Sequence, residues 1–345
     1  MVMRRIALLI SLILCLKLVY GDEEIKNKLN VTIEDVKTYA EQRSNGLKNI
    51  KFLYIHKNVQ QRNPEWNYKQ IVLVGKVENK VCIEEIAKYE NDPQLVYRVY
   101  FFDGKKGYSW DPATNICGLN PFKPFAESHI GYYMLSLLDW TASQPLTKTL
   151  KDDDFPEIIE SYEKDNEKYV VFKCNLLPYD KDDLKYMDKS ELPPPEKDIN
   201  VFKYVYNISK NMPMYQEFFI KGKIQYSKEV DESLELSPGV YFPVKITAKG
   251  YEKKPDGKEF QVRGISTIIF KNVSLGDEEE LLKAITFEIP SGAKIINTRS
   301  REESINGDTY IEKLPQEEID SRLLSKKLFG LSYQDLLNML NEITY

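Results

Sequence analysis

The chain has 345 residues, with 48 Lys and Arg against 53 Asp and Glu, a formal net charge of −5. That balance argues against nucleic acid or an anionic lipid surface as the main partner, because both need a basic footprint. Aromatic residues are abundant, with 23 Tyr and 15 Phe, and they favour sheets.

The chain opens with Arg4 and Arg5, an apolar run from Ile6 to Leu16, and Lys17-Leu-Val-Tyr-Gly21 ahead of Asp22. A charged start, a short apolar stretch, and Val19 and Gly21 at the −3 and −1 places make residues 1–21 a cleavable signal peptide. The run is shorter than the roughly 18 to 20 residues a bilayer-crossing helix needs, and no later run is longer. The expectation is therefore an exported, periplasmic chain that is soluble once processed and has no transmembrane segment. Processing would remove Arg4, Arg5 and Lys17 and no acid, taking the charge from −5 to −8. Leu12-Ile-Leu-Cys15 has the spacing of a lipid-modified cysteine, but Leu14 stands where Gly, Ala or Ser is required. Cys82, Cys117 and Cys174 then remain, too few and too scattered for a disulfide scaffold. His56 and His129 sit at no metal-ligand spacing, so neither metal nor other cofactor is expected.

Thr32-Ile-Glu-Asp35 opens a capped amphipathic helix carrying Ile33, Val36, Ala40 and Leu47. Strands are predicted at 50–56, 70–77, 81–87, 95–103 and 107–111, separated by turn chemistry such as Asp103-Gly104 and Asp111-Pro112, which implies an antiparallel meander. Residues 128–140 return to helical period, with Ile130, Tyr133, Met134, Leu137 and Leu138 on one face. The acidic and Pro-rich stretch 179–198 reads as a solvated loop insertion. Strands resume at 201–208, 214–225, 241–250, 260–270 and 286–289. The charge run Asp277-Glu-Glu-Glu280 reads as a solvated face. Residues 314–345 form a helical tail in two stripes, Ile319 to Leu328 and Leu336 to Leu340, broken at Gly330. Two helices packed on the sheet explain it, and a partner-binding tail is the sharper alternative.

No nucleophile elbow, phosphate-cradling loop, Cys–His arrangement or paired metal ligands occur, so no catalytic residue is assigned. The distinctive feature is alternation. Leu95, Tyr97, Val99 and Phe101 share one phase of their strand. Tyr204 and Tyr206, then Phe218 and Ile220, do the same further on, as do Ile246 with Val244 and Val262 with Phe260 in the next two strands. One buried face follows, filled as an ordinary core or left as an apolar groove of lipid size. In the groove reading these residues line the cavity, with Tyr133 and Leu137 lidding it.

The order of elements resembles the LolA, LolB and LppX superfamily of exported lipoprotein and lipid carriers. The residues that carry this are the hairpin Asp103-Gly-Lys-Lys-Gly-Tyr-Ser-Trp-Asp-Pro112, Gly239-Val-Tyr-Phe-Pro-Val-Lys245, Lys271-Asn-Val273 and Phe287-Glu-Ile-Pro-Ser-Gly-Ala-Lys-Ile-Ile296. The second half is most similar to LolA-like proteins of planctomycete-type bacteria. The resemblance covers most of residues 30–300. It implies a mainly β fold, a strongly curved antiparallel half-barrel over residues 22–313 with helices lidding its concave face, and no enzyme activity. Its implied partner is a lipid or an acylated lipoprotein. An envelope sensor of the RseB type, binding a protein partner, is the alternative, and a hydrolase of an envelope polymer is a third.

Overall fold

In a computed structural model, residues 29–92, 95–103, 107–120, 157–175, 200–254, 259–297, 300 and 302–344 are described. Residues 1–21, the segment 128–140 with Tyr133 and Leu137, and the insertion 179–198 lie outside them.

Helix α1 (Ile33–Gly46) starts at a reciprocal cap, in which Asp35 N donates to Thr32 Oγ1 at 3.2 Å and Thr32 N donates to an Asp35 carboxylate oxygen at 2.8 Å. Then come β1 (Asn49–Gln60), one turn of 3-10 helix (Pro64–Trp66), β2 (Tyr68–Val77), β3 (Lys80–Tyr89), β4 (Leu95–Phe102), β5 (Gly107–Asp111) and β6 (Ile116–Asn120). The hairpin β7 (Glu157–Lys164) and β8 (Glu167–Asn175) precedes β9 (Asn200–Asn207), β10 (Met212–Ile220), β11 (Lys223–Ser237), β12 (Val240–Lys253) and β13 (Phe260–Leu275). Helix α2 (Glu278–Ile285), β14 (Lys294–Asn297) and β15 (Glu303–Ile305) lead to three closing helices, α3 (Gln316–Arg322), α4 (Leu324–Phe329) and α5 (Tyr333–Glu342).

The described strands form one sheet in the order β15-β14-β6-β5-β4-β3-β2-β1-β13-β12-β11-β10-β9-β8-β7. All neighbours are antiparallel except β14 and β6. The sheet is curved and open rather than closed. Its curvature follows from one side chain. On a flat sheet β2 and β9, six places apart, would stand about 29 Å from each other at ~4.8 Å per strand. Yet buried Arg43 on α1 interacts with Tyr206 on β9 and also lowers the pKa of Lys76 on β2. One guanidinium can reach both only if the sheet curls around α1.

Register then assigns the faces, because residues directly opposite one another point the same way. The concave face carries Phe52, Tyr54 and His56 of β1, Val72 and Val74 of β2, Ile83 and Glu85 of β3, and Tyr100 of β4. It continues through Phe270 and Ile268 of β13, Ile246, Val230, Phe218 and finally Phe202 and Tyr204. Val36 and Ala40 of α1 pack on Phe172, Tyr204 and Tyr206, while Leu47 joins Ile50, Phe52 and Phe242.

The convex face is covered on one side only. Over β1–β4 it carries Leu53, Ile71, Leu73, Ile86, Tyr97, Val99 and Phe101, and α2 to α5 seal it with Leu281, Ile285, Leu323, Leu324, Leu336 and Leu340. Gly75 makes that docking possible. A Cβ there would lie 2.5 Å from Ile285 Cγ2 and 2.8 Å from Leu328 Cδ1, so any larger residue would push these side chains and their helices back. Buried Glu84 fastens the layer by accepting from Tyr97 Oη at 2.9 Å and from the Ser325 amide at 2.7 Å.

Several elements depart from the sequence reading. The strand expected at 214–225 is two strands, because Lys221 and Gly222 both take positive φ and turn the chain between β10 and β11. Residues 286–289 form no strand; they follow the C-cap of α2. The acidic run 277–280 is exposed, as a solvated face should be, and it also starts α2, with the Asp277 carboxylate accepting from the Glu279 and Glu280 amides at 3.0 Å. Strands β6, β7, β8, β14 and β15 went unread, since each is short or built of charged and aromatic residues with weak alternation. The tail is three helices, with Gly330 at φ 69 as the left-handed cap after α4.

Candidate functional site

The ten residues singled out from alternation do not form one wall. Tyr97, Val99 and Phe101 lie beneath the closing helices on the convex side, where Tyr97 stacks on Tyr333 at 4.9 Å between ring centres. Leu95 and Ile220 are exposed at strand ends. Tyr204, Tyr206, Phe218 and Ile246 face the trough, and half-buried Val262 lies further along β13 in none of the buried clusters. Tyr133 and Leu137 lie outside the described residues. The period was legible and the face was not: apart from Arg98, β4 carries large apolar or aromatic side chains in both phases, and alternation alone does not say which phase is concave.

The trough has an aromatic region and a polar one. In the first, the Phe52, Phe242 and Phe270 rings meet at 5.1 to 5.6 Å, and Tyr54 lies 5.4 Å from Phe270. Met212, Val230, Ile246 and Ile268 complete this region. Phe172, Phe202, Tyr204 and Phe218 form a second stack under α1, with centres 4.6 to 5.9 Å apart.

The polar part sits on the floor of β1, β2, β3 and β13, where sequence reasoning noticed only that His56 has no metal-ligand spacing. The His56 ring is buried, with Gln70 Nε2 2.9 Å from Nδ1 and the Tyr68 ring edge-on at 5.1 Å. Burial, helped by Lys228, holds its pKa down to about 4. Asn58 Oδ1 accepts from Ser266 Oγ at 2.8 Å and Gln60 Nε2 at 3.2 Å. One row over, Tyr54 opposes Val72 and Val72 opposes Glu85. Tyr54 is 2% exposed and Glu85 4%, and Tyr54 Oη and Glu85 Oε2 have no hydrogen-bond partner. Burial pushes Glu85 up to about 7 despite Arg98 beside it, and raises the Tyr54 hydroxyl well above its ordinary range. The signal that could have found this pair is phase: in Val81 to Ala87, adjacent Glu84 and Glu85 put one acid on each face of a strand otherwise buried on both.

No family model matches the sequence, and no curated protein is significantly similar to it. Solved structures are. A LolA superfamily protein from Nitrosomonas europaea is 13% identical and covers 74% of this chain and 98% of its own, with a TM-score of 0.39. A putative outer membrane lipoprotein-sorting protein domain from Vibrio parahaemolyticus is 10% identical and covers 73% and 98%, with a TM-score of 0.44. A DUF1329 family protein from Desulfovibrio piger is 7% identical and covers 74% and 99%, with a TM-score of 0.41.

The three described cysteines are buried and form no disulfide with one another, and burial pushes Cys82 and Cys117 up to about 12. No described helix is long and apolar enough to cross a membrane.

Proposed function

We propose that this protein binds, rather than transforms, an amphiphile: an exported carrier-type protein that takes the acyl chain of a lipid or lipoprotein into the concave trough. The observation that carries the reading is the trough itself. Aromatic and aliphatic side chains line its inner face in two clusters spread from β8 to β4, ten strands round, with a polar patch on the floor of β1 to β3 and β13. Among the described residues a single helix lies within it, about 21 Å long at 1.5 Å per residue. A curved, largely apolar inner face with a few placed polar groups has the chemistry of a small-molecule site.

Native mass spectrometry of the protein purified from its envelope tests this, followed by titration of the delipidated protein with myristate. The expected result is a co-purifying amphiphile and saturable 1:1 myristate binding that Phe218→Glu, on the trough wall, weakens at least tenfold. A chain that carries no amphiphile and takes up no myristate would overturn the reading.

A further inference from the structure

Buried polar atoms in folded proteins are almost always hydrogen-bonded, so each orphan asks for an explanation. The trough floor holds two in one row, on either side of Val72: Tyr54 Oη and Glu85 Oε2, on side chains more than nine-tenths buried. They are a matched pair. Both are oxygens able to accept, both belong to the concave face, and Glu85 is close enough to raise the Tyr54 pKa. Their neighbours have settled partners: Asn58 is bonded to Ser266 and Gln60, and His56 to Gln70. The aromatic region begins at once beside them, with Phe270 5.4 Å from the Tyr54 ring and Phe52 6.3 Å.

We infer that Tyr54 and Glu85 form the headgroup seat of the trough and take a primary ammonium, with the attached chain running along Phe52, Phe270 and Phe242. This rests on the amphiphile-binding reading above and gives it a chemical class. An ammonium supplies several N–H donors to two waiting acceptors and neutralises a carboxylate that burial otherwise disfavours. A phosphate or carboxylate headgroup would meet Glu85 with like charge. A quaternary ammonium carries the charge but no N–H, so it would leave both oxygens unpaired.

Proton linkage follows. The charged groups around the seat are Arg98 and Tyr100 of β4, Tyr68 of β2 and His56 of β1, with Lys228 of β11 beside His56 and Asp111 of β5 beside Arg98. Among them Glu85, held at about 7, titrates near neutrality, while His56 stays neutral down to about 4. An alkylammonium keeps its proton throughout this range. Its affinity therefore rises with pH as Glu85 ionises, by about tenfold between pH 6 and 8.

The test is calorimetric titration of the full mature protein, below micellar concentrations, with tetradecylamine, tetradecyltrimethylammonium and myristate. The amine is expected to bind at least tenfold tighter than the trimethyl compound at pH 8, and about tenfold tighter at pH 8 than at pH 6. Glu85→Gln should abolish both differences, and Tyr54→Phe should narrow the first, with melting curves confirming that each variant folds. Myristate affinity in Glu85→Gln should be unchanged or improved. Equal binding of amine and trimethyl probes, or a preference that survives Glu85→Gln, overturns the ammonium seat while leaving the trough reading intact. Failure of all three probes to bind overturns both.

Discussion

The two halves of the sheet differ in how many of their faces are covered. From β1 to β4 both faces are sealed: β2 and β3 each keep a run of seven buried residues, with the trough on one side and α2 to α5 on the other. From β11 to β13 only the concave face is buried, and the outer side of β13 leaves Ile265 and Ile269 each 39% exposed among charged neighbours. The lesson is a division of labour. In the sandwiched half the outer core is closed by the chain's own helices, whatever the trough holds. The half covered on one face only owes more of its burial to α1 and to whatever fills the concavity.

The largest effect expected from this contrast is removal of residues 314–345. Losing α3 to α5 uncovers Leu53, Ile71, Leu73, Tyr97 and Val99 together and removes the Ser325 amide from Glu84, so the shortened chain should not fold. A shortened chain melting within a few degrees of the full one would erase the distinction between the halves.

Next in size is a pH effect on the inner face of the sandwiched half. The unfolded chain takes up a proton at His56 near pH 6.5, whereas the folded chain waits until about 4, so this group's stabilisation is lost as pH falls between those values. Glu85 runs the other way: unfolded it ionises near 4.5, folded at about 7, so its contribution is lost as pH rises through that window. Each shift is on the order of 3 kcal/mol at 1.36 kcal/mol per unit, and between about pH 4.5 and 6.5 they oppose each other. Glu85→Gln should therefore expose the His56 dependence, with melting temperature climbing with pH more steeply than in the parent protein. Matching profiles for the two proteins would contradict the assigned shifts.

Smaller again is Gly75→Ala, which sets a methyl against Ile285 and Leu328 and should cost roughly 1 to 3 kcal/mol, measured by chemical denaturation. The smallest is Ile269→Thr on the bare outer face of β13, within about 0.5 kcal/mol. If Ile269→Thr cost as much as Gly75→Ala, the outer face of β13 would be covered after all, and the two halves would be alike.

Much of the scaffold was written locally. The capped start of α1, the meander β1 to β5, the strands β9, β12 and β13 and the leucine stripes of the tail all follow from cap residues, turn chemistry and period, which are short-range properties. The splitting of β10 from β11 had one local signal, Gly222, which with Lys221 takes positive φ at the turn but sits inside a continuous run of strand-forming residues. The site was less legible. Val99 and Ile246 look alike in sequence, as apolar residues in alternating strands, yet one lies under the tail and the other lines the trough. Glu85 looks like any other acid of this charged chain until its burial is known.

Sequence alone determined that the chain is mainly β, where α1 and about half of the strands begin, and that large side chains alternate along them, because those are consequences of local sterics and period. Tertiary structure decided which phase became concave, since curvature arises from strands far apart closing around α1. It also decided that the tail seals the convex face, because Gly75 and Glu84 act only when Ile285, Leu328 and Ser325 arrive from 200 or more residues away along the chain. The pairing of Tyr54 with Glu85 is of the same kind: 31 positions apart in the chain, they meet across Val72 only when β1, β2 and β3 come into register.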